Sequence, residues 1–465
     1  MAPLSDVQTI FEAQRESRWR LGAEGAEARR SRLRRLQSAL ETRKEALQAV
    51  LAADLGKPAP EALVTEYHPV MGELKHALRH LAGWMRPRRV GTPLALLGTR
   101  SRIHWEPKGR VLILAPWNYP AFLVFAPLVS AIAAGNAVVV KPSEKAPATA
   151  AFIAELLRST FPPEEVAVVT GGPEVAQALV ELPFDHIFFT GSPAVGRKVM
   201  AAAAGNLSSV TLELGGKSPA LVTEGADLDL AARRIAWAKW INAGQTCVAP
   251  DYVLVAAAQE QAFLVKLKEQ AETLFGKAPL DEGAYGHLID AGAFARLKAL
   301  LQATRGERVF GGELRKGSLG FAPTVVRGVS LDDPLMGEEL FGPILPVLSY
   351  RSREEALSIL RSLANPLASY LFTAGDAEAE AWLRDTRAGG TVLNHAVLHL
   401  ANPGLPFGGR GNSGFGACHG LFGFQAFSHA RAVLKVGWLD MVGLTFPPYG
   451  GRLQALVFRI LDWIS

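Results

Sequence analysis

Cysteine is scarce, with two residues in a chain of 465. That excludes a disulfide framework and fits a reducing compartment. Long apolar runs are missing too. The longest, Ala121 to Ala134, is shorter than a bilayer span and carries Pro127 and Ser130, so no stable membrane insertion is expected. The N-terminus is acidic early and has no apolar core segment, which does not read as a secretory signal. Charge of one sign is also in short supply. The excess is +5, from 49 basic and 44 acidic residues, too small to argue for a nucleic-acid partner. His399, His419 and His429 share no metal-ligand spacing, so no metal site is expected. No internal repeat or low-complexity tract stands out. A cytoplasmic globular protein is the resulting expectation.

What is there is a chain with 49% hydrophobic residues and 45 glycines, long enough for two or three domains of α/β type. Residues 6–55 have helical texture, with a break at Gly22 and Gly25. Their basic run Arg29 to Arg35 interleaves with Leu33, Leu36 and Leu40 and reads as a solvated helix face. Continuous apolar runs then begin at Arg110–Pro116 and recur at 136–141, 166–170 and 186–190. Bounded by turn residues and alternating with helical stretches, they predict parallel strands buried on both faces. The same texture after Leu214 predicts a second α/β domain. The segment 88–106, with β-like pieces around Gly98, predicts a projecting hairpin.

Several short segments carry chemistry. Cys247 lies in Asn242-Ala-Gly-Gln-Thr-Cys-Val-Ala-Pro250, and Glu213 in Leu212-Glu-Leu-Gly-Gly-Lys217. A thiol that adds to a carbonyl, with a carboxylate that activates water, is the minimum kit for oxidising an aldehyde through a thioester. A buried cysteine can equally be a small hydrophobe, and a buried glutamate half of a salt bridge. Gly191-Ser-Pro-Ala-Val-Gly196 follows a strand. Ser192 can cap the next helix and Pro193 suits its first turn, leaving free N–H groups for a pyrophosphate or simply an ordinary capped turn. Lys141 and Glu144 close an earlier strand and could grip ribose hydroxyls or each other. Asn118, in Pro116-Trp-Asn-Tyr-Pro120, could donate to an oxyanion or serve as a turn residue.

These segments, with Glu339-Leu-Phe-Gly-Pro343 and Pro406-Phe-Gly-Gly409, resemble in order and spacing the NAD(P)-dependent aldehyde dehydrogenase family from about residue 10 to 440. Gly244-Gln-Thr-Cys-Val-Ala-Pro-Asp-Tyr252 and Gly411-Asn-Ser-Gly414 leading to Phe427-Ser-His429 look most like its class-3 branch, which handles medium- and long-chain aliphatic and aromatic aldehydes. The resemblance implies Cys247 as nucleophile, Glu213 as base, and Asn118 as oxyanion donor beside the Cys247 N–H. It assigns Lys141 and Glu144 to the adenine ribose, the Gly191-Ser192 turn through Gly196 to the pyrophosphate, and Glu339 and Phe341 to the nicotinamide side. The cofactor would be NAD, with NADP tolerated, because Glu144 disfavours a 2′-phosphate. Tyr119 and Trp240 would line the substrate tunnel, and the assembly would be a homodimer.

The implied architecture is a Rossmann-type parallel-sheet cofactor domain (1–85 and 107–213), a second α/β catalytic domain (214–391) and a small β bridging element (86–106 and 392–442). A C-terminal tail (443–465) follows. Two departures from the branch are visible: His395 stands where an acidic residue is usual, and Cys418 where an aromatic is common. The tail carries Leu453, Leu456, Val457, Ile460, Trp463 and Ile464 on one helical stripe, suited to docking, to a lid over the tunnel, or to shallow, peripheral membrane contact. A thiol-dependent hydrolase and a non-catalytic scaffold are the rival readings.

Overall fold

The computed structural model describes residues 4–281, 283–437 and 442–464. The apolar runs are strands whose residues are buried on both faces, as at Arg110–Leu114 and Ala137–Lys141. Five parallel strands lie side by side in the order Ser209–Leu214, His186–Gly191, Arg110–Leu114, Ala137–Lys141 and Val166–Val168. The chain builds outward from Arg110–Leu114 and then returns to its other side with His186–Gly191. Strand order therefore reverses between these two, and the crevice at their carboxyl ends is the place where such sheets bind ligands.

The second sheet is also mainly parallel. Its order is Glu307–Phe310, Thr324–Arg327, Ile344–Tyr350, Tyr252–Ala256, Pro219–Val222, Ala368–Phe372 and Gly390–Leu393, with only the first antiparallel to its neighbour. The hairpin Arg88–Val90 with Thr99–Pro107 gains a third antiparallel strand, Ser428–Val436, from far along the chain. Residues 392–427, grouped by sequence with that element, are distributed elsewhere. Gly390–Leu393 closes the second sheet, Gly414–Phe415 pairs with the Glu213 strand, and the helix Gly420–Ala426 packs on Phe122–Ala134. These residues are apolar or glycine-rich enough to fill seams between layers, which composition alone does not distinguish from a bridging strand.

The basic run at 29–35 is not simply a solvated face. Arg29 and Arg32 are buried. Arg29 donates to the carbonyls of Ala133 (3.1 Å) and Ala134 (2.6 Å) at the end of the helix Phe122–Ala134, and to that of Gly22. Terminal helix carbonyls lack partners of their own, so a guanidinium there satisfies them and complements the dipole. Arg32 pairs with Glu165 and Glu24. Arg29→Met should therefore cost about 3 kcal/mol, since it strands buried carbonyls. A urea titration reads this as a lower midpoint at unchanged slope.

The tail forms the helix Arg452–Ile464, which packs on the turns Val442–Thr445 and Leu94–Leu96. Gln454 ties its start, accepting from Gly450 N–H and donating to Phe446 carbonyl. Leu453 and Leu456 are exposed, while the side chains of Ile460, Trp463 and Ile464 lie outside the described residues. No described helix is long and apolar enough to cross a membrane.

Candidate active site

Cys247 sits between the helix Leu228–Trp240 and the strand Tyr252–Ala256, in a loop with unusual backbone. Asn242, Ala243 and Gly244 all have positive φ (52°, 51° and 78°). Only Gly adopts this region freely, so the other two must be held. Asn242 N–H donates to Glu61, and its side-chain amide donates to the carbonyls of Asn118 (2.8 Å) and Gln245. Gln245 in turn donates to the carbonyls of Asn242 and His287 and accepts from Ile289 N–H. At Gly244 a Cβ would lie 2.3 Å from the Gly342 carbonyl oxygen, so no larger residue fits.

Asn118 is buried against this loop. Its side-chain amide donates to Gln245 carbonyl at 3.1 Å, leaving a second N–H available on the same nitrogen. Its own carbonyl accepts from Lys57, whose ammonium also pairs with Glu66 at 2.6 Å. Glu66 lies in the π-helical turn Leu63–Tyr67 and receives the N–H groups of Ala121 and Phe122. Sequence reading missed this buried charge network. Its members lie near residue 60 in helical texture, and nothing local marks them as the support of Asn118.

Glu213 and Cys247, with Thr190, line two cavities at once. One is an apolar tunnel of about 150 Å³ whose wall includes Tyr119, Phe122, Trp237, Val397, Cys418 and His419. The other is a cleft of about 680 Å³ at the reversal point of the first sheet, lined by Asn118, Gly191, Ser192, Arg197, Glu339 and Phe341, among others. Both carboxylate oxygens of Glu213 are buried, and the Cys418 thiol is the neighbour that approaches them. Burial holds its pKa well above the usual carboxylate range, outweighing the opposing effect of that thiol. The Cys247 thiol is pushed up to about 12 by burial, then by Glu339 and Glu213. Glu339 itself is raised to about 8 by burial, with Asp251 adding to it.

The cleft has the features a dinucleotide needs. Ser192 caps the helix Pro193–Gly205, accepting from Val195 N–H at 3.4 Å, and the helix N-terminus opens onto the cleft. Phe341, with a φ of 47°, meets Trp117 edge to face at 5.3 Å. Gly196 lies outside the cleft wall. A Cβ there would meet Leu214 at 2.7 Å, so this glycine lets the helix close on the strand. Lys141 and Glu144 stand at the carboxyl end of the next strand, paired to each other at 2.8 Å and likewise outside the lining.

Tyr119 is on the tunnel wall, its hydroxyl 2.6 Å from Thr246 Oγ1 and its ring under the Lys57 ammonium. Trp240, expected beside it, is not there. It is fully buried, donates to Pro343 carbonyl at 2.9 Å, and packs on Phe275 and Phe310. Trp237, one turn earlier, takes the tunnel position. Cys418 and His419 also reach the wall, with His419 held through Nδ1 at 2.6 Å from Glu73. The described residues contain no cluster of metal-ligating side chains.

A thiol and a buried carboxylate thus stand between an apolar tunnel and a larger cleft at the reversal point of a parallel sheet. The chain belongs to the aldehyde dehydrogenase family, whose model matches residues 2–433, and it is an oxidoreductase acting on aldehydes. It is 42% identical over 465 residues to human aldehyde dehydrogenase family 3 member B1, covering 99% of this chain and 98% of that protein. It is 40% identical to the 4,4'-diaponeurosporen-aldehyde dehydrogenase of Staphylococcus aureus, covering 92% and 93% of the two chains. Among solved structures, the substrate-bound state of Staphylococcus aureus AldH superposes with a TM-score of 0.94 at 38% identity, covering 99% of this chain and all of that one. An indole-3-acetaldehyde dehydrogenase complexed with NAD+ superposes at 0.85 with 29% identity, covering 93% and 89%.

Proposed function

We propose that the protein oxidises hydrophobic aldehydes, medium- or long-chain aliphatic or aromatic, to carboxylic acids with NAD as acceptor and NADP tolerated. The observation that carries this is the sharing of Cys247 and Glu213 by an apolar tunnel and a cleft built for a dinucleotide. The relatives' names point the same way, from the 4,4'-diaponeurosporen-aldehyde dehydrogenase to a protein of Pseudomonas aeruginosa named a probable coniferyl aldehyde dehydrogenase, 38% identical over 98% of this chain and 96% of that one.

The residues in the cleft fit the cofactor. The Ser192–Pro193 helix start would receive the pyrophosphate, Glu339 the nicotinamide ribose, and Phe341 the face beside the nicotinamide; Lys141 and Glu144 would reach the adenine ribose from the strand end. When bound, the nicotinamide supplies a hydride acceptor. The chain does the rest. Cys247 Sγ gives up its proton to solvent and bonds to the aldehyde carbon, and the resulting oxyanion is met by the Asn118 amide and the Cys247 N–H. Loss of hydride from that carbon leaves a thioester. Glu213 then takes a proton from water, whose oxygen attacks the thioester; the C–S bond breaks, carboxylic acid leaves, and the cysteine thiolate regains a proton from Glu213.

The protein is placed in the cytoplasm in this reading, as a homodimer. The nine-residue strand Ser428–Val436 lies at the edge of its sheet, and an uncovered edge of that length suits pairing with a second copy. Initial rates of NADH formation with nonanal and benzaldehyde test the reading. Oxidation that requires NAD or NADP supports it. Cofactor-independent ester hydrolysis with no aldehyde oxidation would favour the hydrolase, and silence in both assays the scaffold.

A further inference from the structure

Trp237 and Leu398 belong to the tunnel wall and also to that of a third, neighbouring cavity, of about 670 Å³. The tunnel is apolar, but this vestibule is not. Its polar lining is Asp229, Arg233, Arg234, Gln270 and His395. Arg233 is exposed and forms no ion pair among the described residues. It lies one helical turn before Trp237, so both side chains share a face of the helix Leu228–Trp240. Arg234 is anchored to the Asn394 carbonyl. Asp229, the one acid of the lining, is already paired with Lys266 at 2.6 Å.

His395 completes the rim. It meets Trp237 edge to face at 6.0 Å, and its Nδ1 is engaged by the Ala396 backbone. The vestibule therefore carries two guanidinium groups and no unpaired carboxylate.

We infer that the vestibule is a subsite for an anionic group at the far end of the substrate, so that the preferred aldehydes are long apolar chains ending in a carboxylate. This rests on the proposed oxidation of hydrophobic aldehydes. An alkyl chain fills the apolar tunnel from Cys247 outward, and its distal carboxylate meets Arg233 and Arg234 beyond Trp237. A guanidinium offers paired N–H donors suited to a carboxylate, whereas a methyl end gains nothing from them. An acid in place of His395 would repel the same group. The chemistry at Cys247 is unchanged: the aldehyde carbon loses hydride to the nicotinamide and gains oxygen from water, and the product is an α,ω-dicarboxylate.

The test compares kcat/KM for two matched pairs, nonanal with ω-oxononanoate and hexadecanal with ω-oxohexadecanoate. Wild type should favour the carboxylated member of at least one pair by about tenfold at low ionic strength, the advantage shrinking in high salt. Arg233→Glu and, separately, His395→Asp should each lower that ratio, the first by about tenfold or more. Equal rates within both pairs would overturn the subsite, as would a ratio that neither variant moves. Failure to oxidise even nonanal and hexadecanal would instead count against the underlying oxidation reading.

Discussion

Cys247→Ala is expected to remove aldehyde oxidation, a loss of at least about 10⁴-fold in the initial rate of NADH formation. Alanine leaves the loop intact, because what holds the loop is the bonding of Asn242 and Gln245 and the close approach of Gly244 to Gly342. What disappears is the atom that bonds to the aldehyde carbon. Mass spectrometry of wild type quenched during turnover should find the acyl group on the peptide bearing Cys247, and the variant should carry none. The second thiol is an internal control, because Cys418 lines the same tunnel. Turnover that survives in Cys247→Ala but vanishes when Cys418 is also replaced would transfer the nucleophile's role to Cys418 and sink the assignment. The pH dependence has a definite sign. With a thiol pKa pushed up to about 12, the reactive thiolate is the minor form near neutrality. Single-turnover acylation should therefore rise with pH from about 7 to about 9.

The second large effect is at Glu213. Glu213→Gln preserves shape and volume but cannot accept a proton, so the thioester should form and then persist. Steady-state turnover should fall by about 10² to 10⁴-fold, while rapid mixing shows a burst of NADH close to a single equivalent per site. A lost burst would mean that the carboxylate acts before the thioester and would contradict the assigned role. In wild type the carboxyl pKa is raised, so at low pH Glu213 is protonated and inert as a base. Deacylation should climb with pH through that raised value and level off above it. In Glu213→Gln this climb should be absent.

The sheet strands were readable because strands buried on both faces must be continuously apolar, as at Arg110–Leu114 and Ala137–Lys141. The site segments were readable for a different reason. Cys247, Glu213, Asn118 and Ser192 each sit in a short, compositionally odd stretch at the end of an element. Positions decided by which way a helix turns were not readable. Trp237 and Trp240 are three residues apart, and only the packing of Phe275 and Phe310 assigns the second to the core. Cys418 sits in a glycine-rich stretch with no local sign of a place at the site. It reaches Glu213 because Gly414 pairs with that residue across about two hundred positions of sequence, and no local pattern encodes such a pairing. The buried guanidinium of Arg29 belongs to the same class: its partners are carbonyls on a distant helix.

The two cavities that meet at Cys247 share only Thr190, Glu213 and Cys247 of their linings. Those three side chains are thus the partition between the two spaces. On the proposed mechanism, a substrate bonded to Cys247 remains on the tunnel side, and traffic in the cleft need not wait for it to leave. Geometry alone imposes no queue, so the order in which the two ligands come and go is left to their relative rates of escape.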